Sequence, residues 1–154
     1  MEEFMNIIEA RVEDAEDIYN LYYEVMKYDY PVEKMKKMIS LVSMDKNNYV
    51  FVAIDHDCVV GVVEVVIKYS IHKEPYLIIN TFAVLTKYQG KGIGSQLLVY
   101  VEDFAKKQKL ASITLGSQFK RVEAHEFYKK NGFKIIKEHK IFKKNISYGE
   151  DNKK

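Results

Sequence analysis

Cysteine occurs once in the 154 residues, at Cys58, which excludes an internal disulfide and a cysteine-based zinc ribbon. Proline occurs twice and glycine seven times, and nowhere do they gather with serine into a linker. No apolar run approaches the roughly 20 residues needed to span a membrane. Arginine is almost missing: Arg11 and Arg121 stand against 22 lysines, which are compact, strongly hydrated charges suited to a solvated surface. An excess of charge is missing too. The balance of 24 basic and 22 acidic residues is +2, too small to make nucleic acid the main partner, because phosphate binding needs concentrated basic charge. The opening MEEFMNIIEAR begins with two glutamates and lacks the charged-then-apolar layout of a secretion signal. These features lead us to expect a cytoplasmic protein with no membrane and no nucleic-acid partner.

The residues that are present suit one globular domain. An apolar share of 47% is enough to bury a single core at this length. We expect one domain over residues 1–144 and a polar tail over 145–154 that frays. Residues 6–12 read as a short strand, and from Asp14 the residues Ile18, Leu21, Tyr22 and Val25 recur at helical spacing. A second helix follows Pro31, with Met35, Met38, Ile39 and Val42 on one face. Residues 49–54 and 59–68 are rich in β-branched side chains around a hairpin turn at Asp55-His56-Asp57, and 76–84 is a third such run. A glycine-bearing loop leads into a long helix carrying Leu97, Leu98, Val101, Phe104 and Ala105. A strand at 112–115, a helix at 123–131 stopped by Gly132 and a closing pair of strands over 133–142 follow. The fold class is α/β (α+β): a mostly antiparallel mixed sheet of about seven strands flanked by about four helices.

Chemistry concentrates in Gln89-Gly90-Lys91-Gly92-Ile93-Gly94-Ser95, between a strand and a helix. Glycines let the main chain approach a ligand, and successive N–H groups at a helix start converge on an anion such as a pyrophosphate. A plain glycine turn before a helix is the other reading. A P-loop needs Ser or Thr directly after Gly-Lys, and Gly92 follows Lys91 instead. A dinucleotide site needs G-x-G-x-x-G and an acidic residue ending the next strand, and neither is present. Asp55-His56-Asp57-Cys58 offers four metal-ligating side chains, but adjacent residues in a tight turn cannot all face one ion, so no metal is expected.

The pattern Gln89-x-x-Gly92-x-Gly94 after Thr81-Phe82-Ala83-Val84 resembles the acyl-CoA signature of the GCN5-related N-acetyltransferase superfamily (GNAT). Ala124-His125-Glu126-Phe127-Tyr128-Lys129-Lys130-Asn131-Gly132-Phe133 is similar to a second family segment, A-x-x-F-Y-x-x-x-G-F. The resemblance runs from about Asn6 to Phe142 and is weakest in the first two helices, where acceptor specificity is set. It implies a GNAT-like fold and acetyl-CoA as co-substrate, with no metal. Phe82, Ala83 and Val84 would pair with the pantetheine arm. Gln89, Gly90, Lys91, Gly92, Ile93, Gly94 and Ser95 would hold the pyrophosphate. Phe127 would pack near the cofactor, and Tyr128 would protonate the departing thiolate.

Several positions depart from the family pattern. Ile78 stands where many members carry a glutamate as general base. Glu64 on the neighbouring strand and Asn80 are the substitutes, although Glu64 also reads as a solvent-facing charge. Arg121 replaces a family asparagine and could reach a CoA phosphate or pair with Glu123. Tyr128 also reads as a packed ring, and His125 as a surface or structural histidine. Tyr22, Tyr23, Glu24, Tyr28, Asp29 and Tyr30 form an aromatic, acidic set beside the implied acceptor cleft, with Tyr28, Asp29 and Tyr30 as candidate substrate contacts. They suit a cationic amine, or serve helix packing and a solvated loop. The function implied is direct acetyl transfer to a primary amine of a small molecule or peptide, with a homodimer as the state common in the family. The alternative is a non-catalytic acyl-CoA-binding module on the same fold.

Overall fold

A computed structural model describes residues 5–117 and 122–148. The chain divides into two compact units, Met1–Arg121 and Val122–Lys154. In the first, strand β1 (Asn6–Glu9) leads through a 3-10 turn (Val12–Asp14) into helix α1 (Ala15–Met26) and helix α2 (Val32–Met44). Strands β2 (Asn48–Asp55), β3 (Cys58–Ser70) and β4 (Lys73–Val84) follow, then a 3-10 turn (Thr86–Tyr88), helix α3 (Ile93–Lys107) and strand β5 (Ile113–Leu115). The five strands lie in the order β1-β2-β3-β4-β5, antiparallel except for the parallel pair β4–β5. Among the described residues no helix is long and apolar enough to cross a membrane.

Strand alternation divides the core between the two faces of the sheet. Val52, Val62 and Ala83 meet Ala15, Ile18, Leu21 and Tyr22 of α1 and Met35 and Ile39 of α2. Burying a side chain such as Leu21, which is wholly covered, is worth roughly 1.5–3 kcal/mol. On the other face Phe51 meets Tyr100 and Phe104 of α3, with ring centroids 5.0 and 5.2 Å apart. Gly61 lies on this face beneath α3, where a β-carbon would stand 2.9 Å from Cδ1 of Leu97. The missing side chain lets the start of α3 rest directly on β3.

Local chemistry accounts for the helix and turn boundaries. Arg11 and Asp14 close the turn before α1: Asp14 Oδ2 accepts the Arg11 backbone N–H at 2.8 Å, and its Oδ1 accepts the guanidinium at 2.9 Å. Helix α1 ends at Lys27, which takes the left-handed conformation, φ 61°. His56 and Asp57 carry φ 49° and 62°, as the two central residues of a tight hairpin turn require. The strand expected over residues 6–12 stops at Glu9, and Val12 opens the 3-10 turn instead.

The second unit holds α4 (Val122–Lys130), terminated by Gly132 at φ 92°. The closing pair of strands expected over residues 133–142 is not formed, and residues 133–148 have no regular secondary structure. The described residues therefore hold five strands rather than about seven. β-Propensity measures fit against cross-strand neighbours, and among the described residues none pairs with this run: Ile135, Ile136, Ile141 and Phe142 are all exposed. Of the tail expected over 145–154, residues 145–148 are irregular and the rest lies outside the described residues.

Candidate active site

The candidate site begins at an irregularity in the sheet. Glu64 pairs with Thr81 and Val65 with Ile79, so Asn80 is an extra, exposed residue in β4. Such a bulge bends its strand and raises the local twist. Among the described residues strand β5 pairs with Leu77, Ile78 and Ile79, so β4 runs on through Thr81, Phe82, Ala83 and Val84 past the end of its parallel neighbour. Ala83 faces α1 through its pairing with Val62, while Phe82 and Val84 pair with Val63 and Gly61 on the α3 face.

The segment after β4 is held by four hydrogen bonds from different parts of the first unit. Leu85 N–H donates to the Val60 carbonyl at 2.9 Å. The Gln89 side-chain amide donates back to the Val84 carbonyl at 2.9 Å, which closes the loop onto the strand end. The Tyr88 hydroxyl donates to Asp55 Oδ2 at 2.8 Å, and this hydrogen bond holds its acidity below that of an ordinary tyrosine. Glu24 of α1 accepts the Thr86 N–H at 2.9 Å; its bonds to Thr86 hold the carboxyl below the ordinary carboxylate pKa.

Gly90 and Gly92 then take φ 78° and 87°, values an L side chain adopts only with strain. Gly92 is the residue before α3, and its carbonyl accepts the Gln96 N–H at 3.0 Å. The first N–H groups of the helix, at Ile93, Gly94 and Ser95, have no intrahelical acceptor, and the helix dipole places partial positive charge there. The ammonium groups of Lys87 and Lys91 lie 5.7 and 5.6 Å from the centre of the Tyr88 ring. This end of the unit can receive an anion.

On the α1 face the Tyr22 hydroxyl donates to Glu64 Oε2. Glu64 is half-buried, and its contact with α1 separates it from a solvated surface charge. Burial holds Tyr22 well above the ordinary tyrosine pKa, with the Glu64 charge adding to the effect. Tyr28 packs edge-on against Tyr22 at 5.6 Å, and Asp29 accepts the Tyr19 hydroxyl. Tyr28, Asp29 and Tyr30 are all exposed in the link between α1 and α2.

Phe127 and Tyr128 belong to the second unit. Both are half-buried on α4, with ring centroids 5.6 Å apart, and Tyr128 meets Phe133 edge-on at 6.0 Å. The carbonyl of Tyr128 accepts the Phe133 N–H at 3.0 Å, which turns the chain back after the Gly132 stop. Arg121 lies outside the described residues.

Within the first unit the fold brings Glu64, Asn80 and residues 81–84 to the same bulged ladder and continues them into the 89–95 loop. Sequence reasoning placed Tyr22 and Glu24 in the aromatic, acidic set without their partners. It gives Thr81 only a place in the strand before the glycine loop, and gives no role to Tyr88 or Gly61. A run of strand residues carries no mark of the helix that packs on it. These contacts join residues 42 and 62 positions apart, beyond the reach of any local pattern.

A profile of the Acetyltransferase (GNAT) family matches residues 13–133. The chain is 28% identical over 137 residues to the aminoalkylphosphonate N-acetyltransferase of Salmonella typhimurium, covering 86% of this chain and 89% of that protein. A transcriptional regulator from Bacillus halodurans superposes with a TM-score of 0.80 at 25% identity, over 92% of this chain and 99% of the other. The aminoglycoside N-acetyltransferase AAC(6')-Iy, solved with CoA, shares the fold with a TM-score of 0.81 at 13% identity, over 95% and 98%. With strands β2 to β5, the glycine loop and the A-x-x-F-Y-x-x-x-G-F segment all inside the matched region, the chain belongs to the GNAT family of acetyltransferases.

Proposed function

We propose that the protein transfers the acetyl group of acetyl-CoA directly to a primary amine of a small molecule or peptide. The observation that carries this reading is the run from Thr81 to Ser95 in a GNAT chain. A strand outruns its neighbour, a loop turns on two glycines at positive φ, and a helix starts there. The backbone of Phe82, Ala83 and Val84 suits pairing with the amide-bearing pantetheine arm. The N–H groups from Gly90 to Ser95 suit the pyrophosphate, with Gln89 holding the loop and Lys91 adding charge. A side chain at Gly92 would have no relaxed backbone conformation there, so the approach belongs to a glycine. Phe127 and Arg121 are proposed contributors on the cofactor side.

Transfer to an amine needs a neutral nucleophile, a polarised thioester carbonyl and a proton for the leaving sulfur. Glu64 takes the proton of the attacking amine, with Asn80 beside it at the bulge. Backbone N–H groups near Ala83 or Val84 stabilise the charge developing on the carbonyl oxygen. Tyr128 gives its proton to the thiolate: a tyrosine has a reference pKa of about 10 and a thiol about 8.5, so donation depends on positioning. Cys58 closes the β2–β3 hairpin and takes no part, which leaves direct transfer. Tyr28, Asp29 and Tyr30 contact the acceptor. The relative named for aminoalkylphosphonates and the fold neighbour named for aminoglycosides support a small-molecule amine.

The test is thiol release from acetyl-CoA with a panel of aminoalkylphosphonates, aminoglycosides, polyamines, amino acids and peptide N-termini. Turnover with one class of amine is expected. Tight CoA binding with no turnover on any amine would replace this reading with a non-catalytic acyl-CoA-binding module.

A further inference from the structure

Helix α1 is fastened to the sheet by polar contacts as well as by its apolar stripe. Asp17 Oδ2 accepts the Val59 N–H at 3.1 Å, and Glu24 Oε2 accepts the Thr86 N–H at 2.9 Å. Between these two, the Tyr22 hydroxyl donates to Glu64 Oε2. The outer contacts join a carboxylate to a backbone N–H and need no further explanation than docking the helix. The middle contact joins a phenol to Glu64, the β3 carboxylate at the bulge that carries Asn80. Tyr22 is 7% exposed, so a phenylalanine would fill its place in the core equally well. The hydroxyl is an addition that donates to Glu64 and also meets the Thr81 side chain.

We propose that Tyr22 is a positioning residue for acetyl transfer: its hydroxyl fixes Oε2 of Glu64 and leaves Oε1 to take the proton of the acceptor amine. This inference rests on the reading of Glu64 as the base. Three observations support it. Glu64 stands opposite Thr81, the residue directly before Phe82, so its carboxylate is at the point where β4 leaves β5. Tyr22 also anchors the acceptor-side link, since its carbonyl accepts the Tyr28 N–H at 3.2 Å and its ring meets that of Tyr28. Burial and the facing carboxylate keep the phenol protonated, with Thr81 opposing part of that effect, so the hydroxyl remains a donor throughout the neutral range. Deleting the hydroxyl would let the Glu64 side chain rotate among its own rotamers and lose the proton-accepting geometry.

The experiment compares the full-length parent with Tyr22→Phe, Glu64→Gln and the double variant, using acetyl-CoA and the best amine of the panel. Tyr22→Phe should lower kcat about 10-fold to 100-fold, the range for losing a hydrogen bond to a charged group, while the KM for acetyl-CoA stays unchanged. Glu64→Gln should lower kcat further and flatten the low-pH limb of the rate profile. Adding Tyr22→Phe to Glu64→Gln should then change kcat by less than about twofold, because the two act as one unit. Equal losses from Tyr22→Phe in both backgrounds, or a parental kcat in Tyr22→Phe, would make Tyr22 a packing residue and overturn the inference. Parental kcat in Glu64→Gln overturns it as well, while leaving acetyl transfer standing. A parent that turns over no amine overturns both readings together. Should Tyr22→Phe fail to fold, Glu64→Asp withdraws the carboxylate from the hydroxyl by one methylene. It should lower kcat likewise, and a parental value there would contradict the pairing.

Discussion

Removing the hydroxyl of Tyr128 while keeping its ring separates two roles that one side chain can combine. The ring packs edge-on against Phe127 and Phe133, contacts that Tyr128→Phe preserves. The hydroxyl carries the only proton the residue can donate. General acid catalysis contributes roughly 10²–10⁴-fold, so steady-state assays should find kcat of Tyr128→Phe lowered within that range at unchanged affinity for acetyl-CoA. The loss should shrink with a thioester whose leaving thiol is more acidic, because a stable thiolate needs less protonation. Stability should fall by about 0.5–1.5 kcal/mol, the net worth of one hydrogen bond. A Tyr128→Phe enzyme with parental kcat, when transfer is rate-limiting, would assign the ring to packing alone. At this scale the motif made Tyr128 legible in the sequence, whereas the partner of Glu64 was not. Alternation along Val62-Val63-Glu64-Val65 told only which face Glu64 takes, and the helix that meets that face starts 49 residues earlier.

Helix α1 and the loop before α3 are the two elements whose geometry the site depends on, and Glu24 connects them. Its carboxyl pKa is depressed by accepting hydrogen bonds from Thr86, so its contribution is present above the ordinary carboxylate pKa and is lost as pH falls through the depressed value. Thermal unfolding of the parent and of Glu24→Gln should therefore differ at neutral pH, and the difference should vanish below the usual carboxylate range. A difference that is constant with pH would place the effect of the substitution elsewhere. The loop itself turns on Gly92, at φ 87°. Valine is β-branched and is a genuine outlier at positive φ, so Gly92→Val must shift the backbone that precedes the N–H groups of Ile93, Gly94 and Ser95. Calorimetric titration should show CoA binding weakened at least tenfold in a chain that still unfolds cooperatively, since the site is a loop and lies outside the core. Unchanged affinity would remove these amides from the pyrophosphate. Glycine spacing disclosed this loop because positive φ is a local requirement. The hold of Gln89 on the Val84 carbonyl and of Tyr88 on Asp55 needed the folded chain.

Over the whole molecule, local rules carried the reading wherever an element is specified by its own residues. The tight turn at Asp55-His56-Asp57 has the positive φ values that Asp and His tolerate, and α1, α2 and α3 follow their apolar spacing. Local rules failed over residues 133–142. The run Phe133-Lys134-Ile135-Ile136 has strand character, yet a strand exists only through a neighbour, and its isoleucines are exposed. The bulge at Asn80 was equally hidden, because it is a mismatch between two strands and not a property of either. The central claim, direct acetyl transfer from acetyl-CoA to an amine, concerns the chain as a whole. It is tested most directly by mass spectrometry of a reaction run with acetyl-CoA labelled in its acetyl carbons. The amine should gain the labelled acetyl group in equal amount to the thiol released, while the mass of the protein stays unchanged. Thiol released without an acetylated amine, or label retained on the protein as an acyl-enzyme, would contradict that claim.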